Sequence, residues 1–280
     1  MDHQPWIKNK YMNILDTIVA AKKKEIADKK STIPATLLER SIYFETKPVS
    51  FTKYLLREDL SGIIAEFKRK SPSLGVINAH ASVERTTIGY MQSGAAALSV
   101  LTDNQFFGGK NEDLTTARKF NFCPILRKDF ILDEYQIIEA KSIGADVILL
   151  IASILKTEQI KQLAGFAHSL GLEVLLEVHN KEELERSLTD QVDAMGVNNR
   201  NLKDFSVSIE TSQELATLIP NNFVKVSESG ISKPETILTL KESGYRGFLM
   251  GEAFMKTSRP EKACAAFIQE LQHLTKPVNV

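Results

Sequence analysis

Four short stretches place polar residues two positions beyond small or apolar ones: Ile64-x-Glu66-x-Lys68, Leu126-x-Lys128, Leu175-x-Glu177-x-His179 and Gly196-x-Asn198-x-Arg200. On a β-strand, residues two apart share a face. Each stretch therefore reads as one strand face that turns polar toward its C-terminal end. If these faces converge, Glu66, Lys68, Lys128, Glu177, Asn198 and Arg200 share one confined mouth. Carboxylates and ammonium groups held that close shift one another's pKa values. Such a set supplies separate acid and base groups near neutral pH. A lysine in a partly dry mouth is expected to have its pKa lowered toward use as an acid. A lone Glu or Lys at a strand end is ordinarily a solvated residue or a structural ion pair; the same pattern on four strands argues against that for the set. His179 shares the face of Glu177, and a supporting or surface role is expected for it. The histidines His3, His80, His168, His179 and His273 have no metal-ligand spacing, so no metal is expected.

Short runs rich in Val, Ile and Leu carry these faces. They cover 63–67, 96–101, 124–127, 147–151, 173–178, 194–197, 223–226 and 248–250. Amphipathic stretches of helical length separate most of them, at 83–91, 134–141, 157–169, 182–188, 209–218 and 234–242, with a last one at 260–274. Continuous apolar strands alternating with helices mean a parallel sheet covered by helices. Eight such units predict an α/β fold, a closed (β/α)8 barrel with its active site at the C-terminal strand ends. An open doubly wound sheet usually carries Gly-x-Gly-x-x-Gly after its first strand; here that place holds Lys68-Arg69-Lys70-Ser71-Pro72-Ser73.

Residues 1–55 read as a helical extension packed on a barrel of residues 56–280, the two forming one structural domain. Ile14, Leu15, Ile18, Val19 and Ile26 make one helical stripe, with Asn13 as N-cap. The stripe needs a partner, so the helix is expected to pack rather than float. Lys22, Lys23, Lys24, Lys29 and Lys30 lie on the other side and read as a solvated face.

Glycines punctuate the last two strand ends, in Ser227-Glu228-Ser229-Gly230-Ile231 and Met250-Gly251-Glu252. Glycine lets backbone N–H groups approach a ligand closely, and loops after strands 7 and 8 of these barrels often hold phosphate. A side chain at Gly251 is expected to block such binding sterically. Phe106 and Phe107 follow strand 2 and Phe130 follows Lys128; at the mouth they would stack on an aromatic substrate.

Composition narrows the function classes. Apolar residues make up 43 % and charged ones 25 %, which excludes disorder and coiled coil for the whole chain. Lys+Arg and Asp+Glu are both 35, so no nucleic-acid partner is expected from bulk charge. The longest apolar run, near 147–155, is too short for a membrane helix. The two cysteines, Cys123 and Cys264, read as packing residues in a reducing compartment. With no apolar leader near Met1, a cytoplasmic location is expected.

As a set, the motifs resemble the indole-3-glycerol-phosphate synthase family. Those motifs are IAEFKRKSPS (64–73), LTDNQFFGG (101–109), LRKDFILD (126–133), GADVILLI (144–151), LLEVH (175–179), GVNNRNL (196–202), SESGI (227–231) and FLMGE (248–252). The resemblance covers about residues 12–273. It implies a (β/α)8 barrel and the indole-forming step of tryptophan biosynthesis. It also implies no cofactor and a phosphorylated small-molecule substrate, 1-(2-carboxyphenylamino)-1-deoxyribulose 5-phosphate. By that resemblance Lys128 is the general acid for the carbonyl and Glu177 the acid/base of the dehydration. Lys68 belongs by that resemblance to the catalytic set as a substrate contact that is also argued to act as an acid, and Glu66 and Asn198, of the same set, orient these groups. Ser229 counts with the catalytic set and, together with Gly230, Gly251 and Glu252, with the phosphate loops. Ser71, Arg200 and Glu228 are substrate contacts, and Phe107 and Phe130 line the anthranilate ring. A monomer without a second catalytic domain is expected. Three positions depart from the family pattern: Leu74 where a basic residue is common, Ala253 where a hydroxyl residue is common, and Glu134 where proline is common. Phosphoribosylanthranilate isomerase, another phosphate-binding barrel, needs a cysteine and an aspartate at the strand ends, and Cys123 lies before a strand. A non-catalytic barrel scaffold would be favoured by loss of Lys128 or Glu177, and both are present.

Overall fold

A computed structural model describes residues 14–201 and 204–275. Its centre is a closed barrel of eight parallel strands. The strands are β1 (Ile63–Phe67), β2 (Ala97–Leu101), β3 (Ile125–Lys128), β4 (Val147–Ile151), β5 (Glu173–Val178), β6 (Ala194–Asn198), β7 (Val224–Glu228) and β8 (Gly247–Met250). Each pairs with its neighbours in sequence, and β1 closes on β8. Nearly every strand residue is buried, as expected for strands covered on both faces. Ile64, Leu126, Leu149, Leu175, Val226 and Leu249 fill the interior. The alternate residues, such as Ile63, Leu98, Ile148 and Val174, pack outward against the helices.

Helices α1 (Ile14–Thr32), α2 (Ala35–Leu38) and α3 (Phe51–Leu55) precede the barrel. The connecting helices are α4 (Val83–Gln92), α5 (Asn111–Phe120), α6 (Glu134–Ser142), α7 (Thr157–Ser169), α8 (Lys181–Ser187), α9 (Glu210–Ala216) and α10 (Pro234–Glu242), and α11 (Glu252–Met255) and α12 (Pro260–Thr275) follow β8. Local chemistry sets several starts: Ser82, Asp133 and Asn180 cap α4, α6 and α8 through their side chains, and Pro234 opens α10.

Residues before β1 reach both ends of the barrel. Phe51 and Leu55 of α3 join the interior cluster. A Cβ on Gly247, the first residue of β8, would stand 3.0 Å from Leu55, which puts α3 at the N-terminal end. The Val49 and Thr52 N–H groups donate to Asp146 and Glu173, each at 2.8 Å. At the opposite end α1 lays Ile14, Leu15 and Ile18 over the mouth. The expected cap Asn13 lies outside the described residues. Helix α5 has no counterpart among the sequence-derived stretches, and a short hairpin pairs Lys70–Ser71 with Gly75–Val76 beyond β1.

Candidate active site

Strand register brings the polar ends together. Glu66 is level with Ser99, Leu101 with Lys128, Ile151 with Glu177, and Asn198 with Glu228. One cavity at the C-terminal end is lined by Glu66, Lys68, Lys128, Glu177, Asn198 and Glu228, and also by Ser71, Phe107, Phe130 and Arg200. Ser229, Gly230, Gly251 and Glu252 complete its other side. Two residues singled out in the sequence stand elsewhere: Phe106 is buried in the interior cluster and does not reach the mouth, and His179 lines a second cavity beside it.

Lys128 is the hub. Its Nζ donates to Glu177 Oε2 at 2.7 Å and to Glu228 Oε2 at 2.6 Å. Asn198 Nδ2 donates to Glu177 Oε1 at 3.1 Å, and Asn198 Oδ1 accepts the Arg200 N–H at 3.0 Å. Lys68 pairs with Glu66 Oε1 at 2.7 Å. Glu228 fits because Gly196 faces it: a Cβ there would stand 2.5 Å from Glu228 Oε1.

The electrostatics reverse one expectation. Burial works against the charge of Lys128, but Glu177, Glu228 and Glu66 outweigh it and raise the pKa instead of lowering it. Burial likewise opposes the charge of Glu177, yet Lys128 and then His179 hold its carboxyl well below the usual range. Glu228 goes the other way. Burial, with the negative charge of Glu177 nearby, pushes it up to about 7 despite Lys128. At rest the Lys128–Glu177–Glu228 cluster thus holds an ammonium, one firmly ionised carboxylate and one carboxyl poised near neutrality.

The aromatic wall is fixed by α1. Phe107 and Phe130 stand 5.9 Å apart between ring centroids, mutually tilted. Asp103 Oδ1 accepts the N–H groups of Phe106 at 2.8 Å and Phe107 at 3.2 Å, and Asp129 Oδ1 accepts that of Phe130 at 2.8 Å. Lys22 reaches both aspartates, at 2.9 and 3.0 Å, with Glu25 at 2.8 Å; its side chain is 1 % exposed. The expected solvated lysine face is therefore wrong for Lys22, because buried carboxylates on two barrel loops need a cation. Lys29 continues the network through Glu139 at 2.9 Å, and Glu139 and Asp129 both bind the buried Arg127.

The opposite wall is built from backbone. Ser229 (φ 69°) and Gly230 (φ 78°) are consecutive left-handed residues where β7 ends. For Ser229 that conformation is strained, a condition common at functional sites. Glu252 sends its carboxylate to Arg200 at 3.4 Å. A side chain on Gly251 would meet Glu66 first, at 2.7 Å, so its bulk would disturb the carboxylate as well as any bound phosphate.

The sequence patterns missed Lys22, since nothing local marks a partner 81 residues away. They undervalued His179, whose ring lies 3.3 Å from Glu177 Oε1.

The fold and its polar mouth define a (β/α)8-barrel of the type that carries enzyme sites at its C-terminal strand ends. A family model described as indole-3-glycerol phosphate synthase matches residues 15–267. A Bacteroides thetaiotaomicron protein of that name is 47 % identical over 260 residues, spanning 93 % of this chain and 99 % of its own length. One from Burkholderia ambifaria is 42 % identical over 255 residues, 90 % of this chain and 98 % of its own. A solved structure described as native KDPGal shares the fold alone, with a TM-score of 0.55 and 13 % identity over 78 % of this chain and 95 % of that one. The chain belongs to the indole-3-glycerol phosphate synthase family.

Proposed function

We propose that this chain converts 1-(2-carboxyphenylamino)-1-deoxyribulose 5-phosphate to indole-3-glycerol phosphate, with release of CO2 and water, in tryptophan biosynthesis. The observation that carries the reading is Lys128, held between Glu177 and Glu228 beside the Phe107–Phe130 wall. The substrate's aryl ring stacks against that wall. Its phosphate sits on the far side, on backbone N–H groups of Ser229, Gly230, Gly251 and Glu252. A carboxylate would repel phosphate, and that of Glu252 is already engaged by Arg200.

Ring closure puts charge on the carbonyl oxygen, and Lys128 gives that oxygen a proton as the C–C bond forms. The carboxylates around it guarantee that it enters protonated; the developing oxyanion then competes with them for the proton. The iminium formed by closure accepts the electrons of the departing carboxylate. Glu177 enters ionised and must gain a proton before handing one to the leaving hydroxyl. Glu66 holds Lys68 toward the substrate, Asn198 orients Glu177, and Ser71 and Arg200 make polar contacts.

The test is direct. Purified protein given the substrate should develop the absorbance and fluorescence of an indole, with chelator present; no signal would sink the reading. We also propose that the protein is a cytoplasmic monomer in which residues 1–55 and 56–280 form one structural unit. Both cysteines are free and buried. No helix among the described residues is long and apolar enough to cross a membrane.

A further inference from the structure

His179 lies just beyond β5, with its ring buried and its side chain 9 % exposed. Glu183, in the first turn of α8, holds one edge. Its Oε2 lies 3.1 Å from His179 Nδ1 and accepts the His179 backbone N–H at 2.9 Å. Glu183 is itself fixed, because Asn180 Oδ1 accepts its N–H at 2.9 Å and Asn180 Nδ2 donates to its Oε1 at 3.2 Å. The other edge faces the mouth. Nε2 sits 3.3 Å from Glu177 Oε1, off the line of a full hydrogen bond, with no other hydrogen-bond partner among the described residues. A buried ring nitrogen left in that state is unfavourable unless something is gained. Here the gain is proximity to the carboxylate that has to change protonation state.

We propose that His179 is a positioning residue for Glu177 that lends it a proton during dehydration and takes one back. The inference rests on the acid/base reading of Glu177. The Nε2–H bond breaks as a bond from Glu177 Oε1 to hydrogen forms, and the ring, neutral now, keeps its Nδ1 proton on Glu183. Glu177 passes its proton to the leaving hydroxyl. The proton released as the new ring becomes aromatic returns through Glu177 to Nε2. No electrons change hands and no net proton is consumed.

Charge placement fixes where the proton rests between turnovers. Burial disfavours the imidazolium, but Glu177 and Glu183 outweigh it and push the ring up to about 10. The titratable groups facing His179 are these two carboxylates. Beyond them stand the cations Lys128, behind Glu177, and Arg186, near Glu183. Arg200 and Asn198 share a polar cavity with His179 and Glu183 beside the mouth.

His179→Asn, His179→Ala, Glu183→Gln and Glu177→Gln should be compared for kcat, KM, pH profile and melting temperature. His179→Asn should lower kcat about tenfold with KM within about twofold, less than loss of a direct acid–base group because the ring acts through Glu177. Without the imidazolium the Glu177 pKa rises, so the acidic limb of kcat/KM should move to higher pH. Glu183→Gln should lower kcat by less, by loosening the ring, and should not move the acidic limb to higher pH, because the ring keeps its charge there. Added imidazole should restore part of the activity of His179→Ala. A wild-type kcat and pH profile in His179→Asn, with Glu177→Gln slow, would overturn the inference and leave the Glu177 reading standing. If Glu177→Gln itself kept normal kcat, the Glu177 reading would fall first. Should His179→Ala not fold, the Asn and Gln variants decide the matter.

Discussion

The two walls of the mouth are made from different material. On the aromatic side, Phe107 and Phe130 hang from aspartates neutralised by Lys22, a residue from the other end of the fold's sequence, and all three charged side chains are buried. On the glycine side, Ser229, Gly230 and Gly251 offer backbone, and the nearby Arg200–Glu252 pair is loose and partly exposed. Water and salt screen the second pair but barely reach the first. Buried charge holds a rigid aromatic ring to one geometry. Backbone groups on a glycine loop suit a phosphate, which needs several donors and little shape. The walls meet at Lys128.

Removing that meeting point should have the largest effect. Lys128→Ala should lower kcat about 10²–10⁴-fold, the range of a positioned acid–base group, while KM changes much less. Near-normal kcat, measured as indole formation, would mean the walls do not share this residue.

Lys22→Met breaks the aromatic wall alone. It leaves Asp103 without its cation and Asp129 with Arg127 alone, at a cost of about 3–5 kcal/mol. The melting temperature should fall by on the order of 10 °C, and KM should rise more than kcat falls. An unchanged melting temperature would mean that the charges on this side are not structural.

Glu228 gives a smaller, pH-dependent signature. Its carboxyl is held at about 7 when folded and near the ordinary glutamate value when unfolded. The folded state therefore binds more protons between those values, and this contribution to stability is present at low pH and lost as pH rises through the window. Melting curves of wild type and Glu228→Gln should converge toward pH 4.5 and separate toward pH 7, with the variant relatively more stable at the upper end. A constant difference would refute it.

The smallest effect belongs to the exposed pair. Arg200→Ala should raise KM several-fold with little change in kcat, and the effect should shrink in high salt. Loss of kcat comparable to that of Lys128→Ala would exchange the roles of the two residues.

Much of this was legible from pattern alone. The eight strands announce themselves as β-branched and leucine-rich runs, and period two alone aims Glu66, Lys128, Glu177 and Asn198 inward. The pattern was silent where the cause is distant. Helix α5 buries only Asp113, Leu114 and Ala117, too few apolar residues to mark a stripe. The run of lysines in α1 reads as surface because the carboxylates that bury Lys22 lie on barrel loops far along the chain. The raised pKa of Lys128 depends on three carboxylates from three strands, a sum that no single stretch contains.

The fastening of α1 also has a consequence in time. Lys29 and its partner Glu139 are 110 residues apart, and Lys22 waits for Asp103 and Asp129. A ribosome making this chain releases α1 long before those partners exist. At synthesis rates of about 5–20 residues per second, the helix is without them for several seconds or longer. Its lysines keep it soluble during that interval, and it settles only after the third strand has emerged and the loops beyond it can close. The first described helix thus waits for partners that emerge only near the middle of the chain.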